Sequence, residues 1–316
     1  MHGPVNRGLR GYRGFVDPGE QRSIEGLYGP DSEAWRLSRE AMLLLGAGPR
    51  ALLLQVAHPL IAEGVDQHSD LRADPWRRLQ GTLRSYLRIV YGSAPQAHAE
   101  IRRLNALHRQ ISGPVRDPMA RGLGAETYDA RDPALSLWVH ATLVDSTMVA
   151  ADAWLGPLSR ARRARFHDET RQIGRAFGIP DSLLPPDLDE FDVYVARMLS
   201  ATGPVHVTPT ARDLARVILH PPLAPLHPLL GILPARAYDW TFWPSIALLP
   251  AGVRGEYGIA WTPARRAVAW WLRAGMELWR PFVPTSLRWM PQARAADRRI
   301  ADRVQRDRPA GPTLGE

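Results

Sequence analysis

The segment "PALSLWVHATLVDSTMVAADAW", residues 133–154, constrains the fold of this chain more than any other. Its apolar residues fall on every side of a 3.6-residue helix rather than on one stripe, so a helix here must be covered all round at the centre of a larger body. Polar groups inside such a helix need partners. His140, Thr142, Asp145 and Ser146 therefore either satisfy one another and the backbone or line a cavity. With 316 residues and 45% hydrophobic content, the chain has the material to cover that helix within one large domain or two ordinary ones.

The rest of the chain alternates long stretches of helical periodicity with Pro/Gly punctuation, without strong two-residue alternation or short repeats. This pattern predicts an all-α fold with helices over 31–46, 48–64, 74–91, 94–112, 133–154, 158–177, 187–201, 208–219, 235–248, 262–279 and 291–307. Asp187, Thr208 and Thr262 are expected N-caps, the last followed by Pro263, which fits a first helical turn. The stretch "HPPLAPLHPLLGILP" reads as a proline-rich crossing ahead of a C-terminal helical layer, and no linker is long or polar enough to require a second domain. The expected organisation is a loosely ordered Gly/Arg-rich segment 1–30, a single helical domain 31–307 and a disordered tail 308–316.

What the chain lacks narrows its chemistry. It has no cysteine, which excludes disulfides, thiolate haem ligation, iron–sulfur clusters and cysteine nucleophiles. Its 40 basic residues are all arginine, which excludes a Schiff-base lysine and a P-loop. The arginines behind the net charge of +8 are dispersed among acids, and no nucleic-acid-binding motif is present, so no nucleic-acid partner is expected. The stretch "TPTARDLARVILHPP" resembles a turn and recognition helix only superficially, offering two arginines and few base-reading side chains. The N-terminus has no apolar core of a signal peptide, and no uninterrupted apolar run reaches the ~20 residues of a spanning helix, which points to the cytoplasm.

Three stretches carry groups suited to chemistry. In "DPWRRLQGTLRSYLRIVYG", Arg78, Thr82, Ser85 and Ile89 share a helix face, which sets a guanidinium beside a hydroxyl. An arginine so placed suits a carboxylate or propionate, because its planar fork donates two parallel hydrogen bonds; an ion pair with Asp74 or Asp70 is the structural alternative. The stretch "VAHPLIAEGVDQHSD" gathers His58, Glu63, Asp66 and His68, but Pro59 and Gly64 disturb the geometry. Both the Glu-x-x-His pairs of di-iron bundles and the His-Glu-x-x-His of zinc peptidases are missing, so it reads as a helix end carrying polar groups toward a pocket. In "QAHAEIRRLNALHRQISG", Ala97, Ile101, Leu104, His108 and Ile111 form one inward stripe. The imidazole of His108 thus occupies a core position, either hydrogen-bonded to a carbonyl or as an axial ligand to haem iron.

The stretches "LLLQVAHPLIAEGVDQHSDLRADPWRRLQGTLRSYLRIVYG", "LHRQISG", "DPALSLWVHATLVDS", "FGIPDSLLP" and "VTPTARDLARVILHPP", in this order, resemble the MpaB-type oxygenase family, which includes the rubber oxygenase called latex clearing protein. The likeness runs over about residues 33–306. It implies an all-helical fold, of the globin-like or orthogonal-bundle type, that encloses haem b with a histidine as proximal iron ligand. Carried over by position, it makes His108 the axial ligand and places Arg78 and Thr82 in the haem pocket. It also likens Thr142 to a pocket threonine and leaves His140 as the ligand should the helices align differently. His58 or Glu63 would stand in for an acidic pocket residue and move a proton. Gly81 stands where the rubber oxygenase has a lysine able to cap the distal face of iron, which counts against polyisoprene as substrate. The implied activity is oxidation of a small or medium apolar substrate by dioxygen, with Arg78 anchoring a propionate or a polar end of the substrate. Either a monomer or a homodimer is compatible with this reading.

Seven of the 11 tryptophans, Trp240, Trp243, Trp261, Trp270, Trp271, Trp279 and Trp289, lie in the C-terminal quarter, interleaved with Arg265, Arg266, Arg273, Arg280 and Arg288. They suit a surface that docks on anionic lipid, an entrance for an apolar substrate, or a purely non-catalytic binding face. The alternative is that late helices pack these rings into the single core and leave the arginines wet.

Overall fold

The computed structural model of the chain describes residues 26–122, 124–221 and 243–306. Helix α1 (Glu33–Ser38) starts where Ser32 Oγ accepts from Trp35 N, and α2 (Ala41–Val56) follows after a two-residue gap. The next three helices, α3 (Pro59–His68), α4 (Pro75–Tyr91) and α5 (Ala94–His108), each carry proline in the first turn, where its missing N–H costs nothing. A short antiparallel ribbon, β1 (Ser112–Pro114) with β2 (Thr127–Asp129), pairs Gly113 with Tyr128 and flanks α6 (Pro118–Gly122). The central helix α7 (Pro133–Trp154) leads to α8 (Arg160–Ala176), α9 (Leu188–Met198) and α10 (Pro209–Leu219). After the gap come α11 (Ala251–Glu256), α12 (Pro263–Trp279), a 3₁₀ turn (Arg280–Phe282), α13 (Thr285–Arg288) and α14 (Pro291–Arg306).

The all-α expectation holds apart from the ribbon. Asp187, Thr208 and Thr262 cap their helices as expected, accepting from Glu190, Ala211 and Arg265 N–H groups. Most of the helix expected over 235–248, and the whole tail 308–316, lie outside the described residues. So do residues 1–25, whereas Tyr28 is buried and Leu27 O accepts from Gln172 Nε2, so the packed body begins before residue 31.

Several expected helix boundaries move: α5 ends at His108 rather than 112, which leaves Ile111 beyond the helix, α9 ends at Met198 rather than 201, and the first two shift most. Gly46 does not break a helix; α2 runs through it and through Pro49. A β-carbon on Gly46 would collide with the ring of Trp154, so this glycine is a notch for an indole. The break falls instead at His58, whose extended backbone (φ −79°, ψ 119°) is what the following Pro59 demands. There the chain bends by 103° between α2 and α3.

Helix α7 lies along α2, with Leu137, Trp138, Ala141, Val144 and Met148 buried in the main core. Its polar residues find partners: Arg50, buried on α2, donates through Nη1 to Asp145 Oδ2 (2.6 Å) and Ser146 Oγ (2.7 Å) and through Nε to Leu248 O (2.8 Å). By length and hydropathy α7 also meets the requirements of a membrane-crossing helix, contrary to the expectation that no segment does so. It is not covered on every side, as the sequence suggested. Ser136, Val139, His140 and Thr147 are only half-buried and Leu143 is 39% exposed, which leaves one mixed polar and apolar stripe open along it.

The C-terminal layer is pinned to the body by polar contacts. Asp297 of α14 accepts from Trp35 Nε1, and Arg299 donates to Tyr91 O. The carboxylate of buried Glu40 faces Arg280 at 3.2 Å and Arg288 at 3.4 Å.

Candidate functional site

Helices α4 and α5 pack against each other and carry the first group of residues. Arg78 and Thr82 stand one turn apart, Nη1 donating to Oγ1 at 2.5 Å, while Nε donates to Ser69 Oγ at 3.1 Å. The ion pairs considered for Arg78 go to its neighbour: Arg77 reaches Asp70 at 2.6 Å and Asp74 at 3.6 Å. Among the described residues Arg78 meets hydroxyls and no carboxylate. It is solvent-exposed, yet desolvation lowers its pKa.

His108 ends α5. The stripe that carries it opens progressively, with Ala97 and Ile101 buried and Leu104 and His108 half-buried, so it runs from the core toward the surface and His108 stands at its rim rather than in the expected core position. Burial first, then the charge of Arg78, holds the imidazole below its ordinary pKa, so the ring is neutral at neutral pH. Among the described residues no hydrogen bond engages that ring; its neighbour is Phe177, with centroids 6.1 Å apart. Asn105 ties the same turn of α5 to the end of α8 by donating to Ala176 O.

His140 lies on the open stripe of α7, and burial followed by the proximity of His167 pushes its pKa down to about 4. A β-carbon on Gly174 would lie 3.6 Å from its Cδ2. Gly174 and Phe177 are one turn apart, so the end of α8 touches both imidazoles. Gly81, one residue before Thr82, has nothing within 4 Å of its β-carbon position, so a lysine there would meet open space.

The other expected site residues are placed elsewhere. Thr142, on the far side of α7 from His140, is buried, donates to Val139 O and accepts from Gln55 Nε2 at 3.0 Å. Glu63 is buried with both carboxylate oxygens taken, accepting from the backbone N–H groups of Arg116 and Asp117 and from Gln67 Nε2. It holds a loop rather than moving a proton. His58 sits in the α2–α3 bend, buried, with Nδ1 lacking a partner and its pKa pushed down to about 4 by burial. Asp66 pairs with Arg72, His68 lies edge-on to Tyr128, and no group of three or more His, Asp or Glu among the described residues could hold a bare metal ion. Periodicity missed Ser69, which lies outside any helix, and Phe177, which becomes a neighbour of His108 only when α8 docks on α5.

The catalytic-domain family described as ER-bound oxygenase mpaB/B'/rubber oxygenase matches residues 35–280, well over half the chain. The chain belongs to the mpaB/rubber oxygenase family. This mpaB/rubber oxygenase domain is similar to an uncharacterised protein of Mycobacterium bovis and to one of Mycobacterium tuberculosis, each 23% identical over 238 residues, covering 74% of this chain and 87% of the relative. No solved structure matches it significantly. Membership makes the domain an oxygenase-family catalytic domain, and at that level its partners are dioxygen and a small molecule. Two side chains suit the haem that the resemblance implies: the imidazole of His108, which makes no hydrogen bond among the described residues, could ligate iron, and Arg78, which meets no carboxylate there, could hold a propionate.

Proposed function

We propose that this member of the mpaB/rubber oxygenase family is a haem b-dependent oxygenase acting on a small or medium apolar substrate. The observation that carries the reading is the proximity of neutral, unbonded His108 to carboxylate-free Arg78, whose charge acts on the ring. His108 would hold the iron and Arg78 a propionate or the polar end of the substrate. When bound, haem supplies the activation of dioxygen needed for substrate oxidation.

The chain's own contributions follow from the contacts. Thr82 Oγ1 accepts from Arg78 and donates to Arg78 O, which fixes the guanidinium against its helix and orients whatever anion it holds. Val139 and Leu143 offer an apolar wall that excludes water from an oily substrate. Because the oxygens of Glu63 are already occupied, His58, whose Nδ1 has no partner, is the remaining candidate to pass on a proton; its lowered pKa means that it would release one rather than keep it.

The test is the absorption spectrum of protein expressed with haem supply. Wild type should show a Soret band, His108→Ala should lose or shift it, and His140→Ala should keep it. A colourless wild type, or an unaltered band in His108→Ala, overturns the assignment. Loss in His140→Ala alone moves the ligand to α7.

A further inference from the structure

We infer that the outer face of the C-terminal layer is a docking surface for an anionic lipid bilayer. Helix α12 touches α7 and the core through its inner side, where Met276 packs, but has no buried residue of its own. Its outer side and the turn beyond it expose Trp270 (60%), Trp271 (69%), Leu278 (63%), Trp279 (65%), Phe282 (74%) and Leu287 (75%). Elsewhere among the described residues, the large hydrophobic side chain with comparable exposure is Val193 at 62%. The expectation that these tryptophans pack into the core therefore fails for Trp270, Trp271 and Trp279.

Two of the rings meet edge to face, Trp270 with Trp271 at 4.8 Å, and Trp279 lies 6.2 Å from Phe282, so the helix and its turn carry two exposed aromatic pairs. Exposed apolar surface of this kind marks an interaction site.

Charge selects the partner. Residues 261–306 hold ten arginines against three carboxylates, Glu277, Asp297 and Asp302, a net +7 of the chain's +8; Arg280 and Arg288 turn inward to Glu40, Arg299 to Tyr91 O, and Arg273 pairs with Glu277 at 3.2 Å, so the outer side presents part of that charge, with exposed Arg266 and Arg273 among it. Arg266 and Arg273 flank Trp270 on one helical row, three and four residues away, which is the mixture of indole and guanidinium found at lipid headgroups. A second copy of the chain is a poor occupant, because two-fold pairing would bring together two copies of a layer whose net charge is positive. An anionic bilayer receives both the rings and the charge. This inference rests on the surface alone and does not depend on haem.

The test is co-sedimentation of the full chain with vesicles of phosphatidylcholine alone and of an equimolar mixture with phosphatidylglycerol. Wild type should bind the anionic vesicles at least about tenfold more tightly, and lose that advantage in high salt as screening requires. Trp271→Ser/Trp279→Ser and, separately, Arg266→Glu/Arg273→Glu should each weaken binding about tenfold while the thermal midpoint stays unchanged. Val193→Ser should bind as wild type. Equal binding to both vesicles, no binding to either, or a dimer that the Trp271→Ser/Trp279→Ser variant dissociates would overturn the proposal, the last assigning the face to a second copy.

Discussion

Gly46 and Gly81 are both glycines inside helices, and their surroundings give them opposite roles. The indole of Trp154 occupies the place of a side chain at Gly46, so Gly46→Ala should cost about 2 kcal/mol or more through overpacking. Gly81 faces open space, so Gly81→Ala should leave stability unchanged or raise it by up to about 1 kcal/mol through helix propensity. Urea midpoints of the two variants, measured side by side, check both. At this scale the sequence was informative where partners lie on one helix: the four-residue spacing of Arg78 and Thr82 foretold their contact, whereas the inward stripe placed His108 in the core and the structure leaves it half-buried at the helix end. It was uninformative for Thr142 and Glu63, whose roles are set by Gln55 on another helix and by the backbone of a loop 53 residues away.

At the scale of elements, the bend at His58 decides which groups become interior. Local pattern favoured one helix over 48–64, and the rule that the residue before proline is extended prevailed. The bend buries His58 with an unpartnered nitrogen, and burial depresses its pKa from 6.5 to about 4. A histidine whose folded pKa lies below its unfolded value stabilises the native state fully above about pH 6.5, and the contribution is lost as pH falls toward 4. The loss from His58 amounts to about 3 kcal/mol over that window, and His140 acts in the same direction. Unfolding midpoints in urea should therefore fall between pH 7 and pH 5, and His58→Gln should flatten the slope. A pH-independent midpoint over this range would contradict the burial of both rings.

At the scale of the whole molecule, Glu40 is the anchor between the main body and the C-terminal layer. Its carboxylate, at the α1–α2 junction, is the shared partner of Arg280 and Arg288. Glu40→Ala strands two partly buried guanidinium groups and should cost about 3 kcal/mol. Hydrogen exchange should quicken over residues 280–306 and stay slow in α2 and α7, because the core there does not use this carboxylate. Charge is also organised at this scale: the arginines look dispersed along the chain, yet the imbalance collects in the one layer whose outer face is apolar. The sequence by itself determined the helices, their caps and the centrality of α7, because periodicity and capping are properties of a few neighbouring residues. It also determined which chemistries are absent, since a chain without cysteine or lysine cannot perform theirs. Only the tertiary structure decided which side of α7 stays open, which carboxylate ties down a loop and which arginine is left without one. Those outcomes depend on elements far apart in the chain meeting in space, and no local pattern records which of them meet.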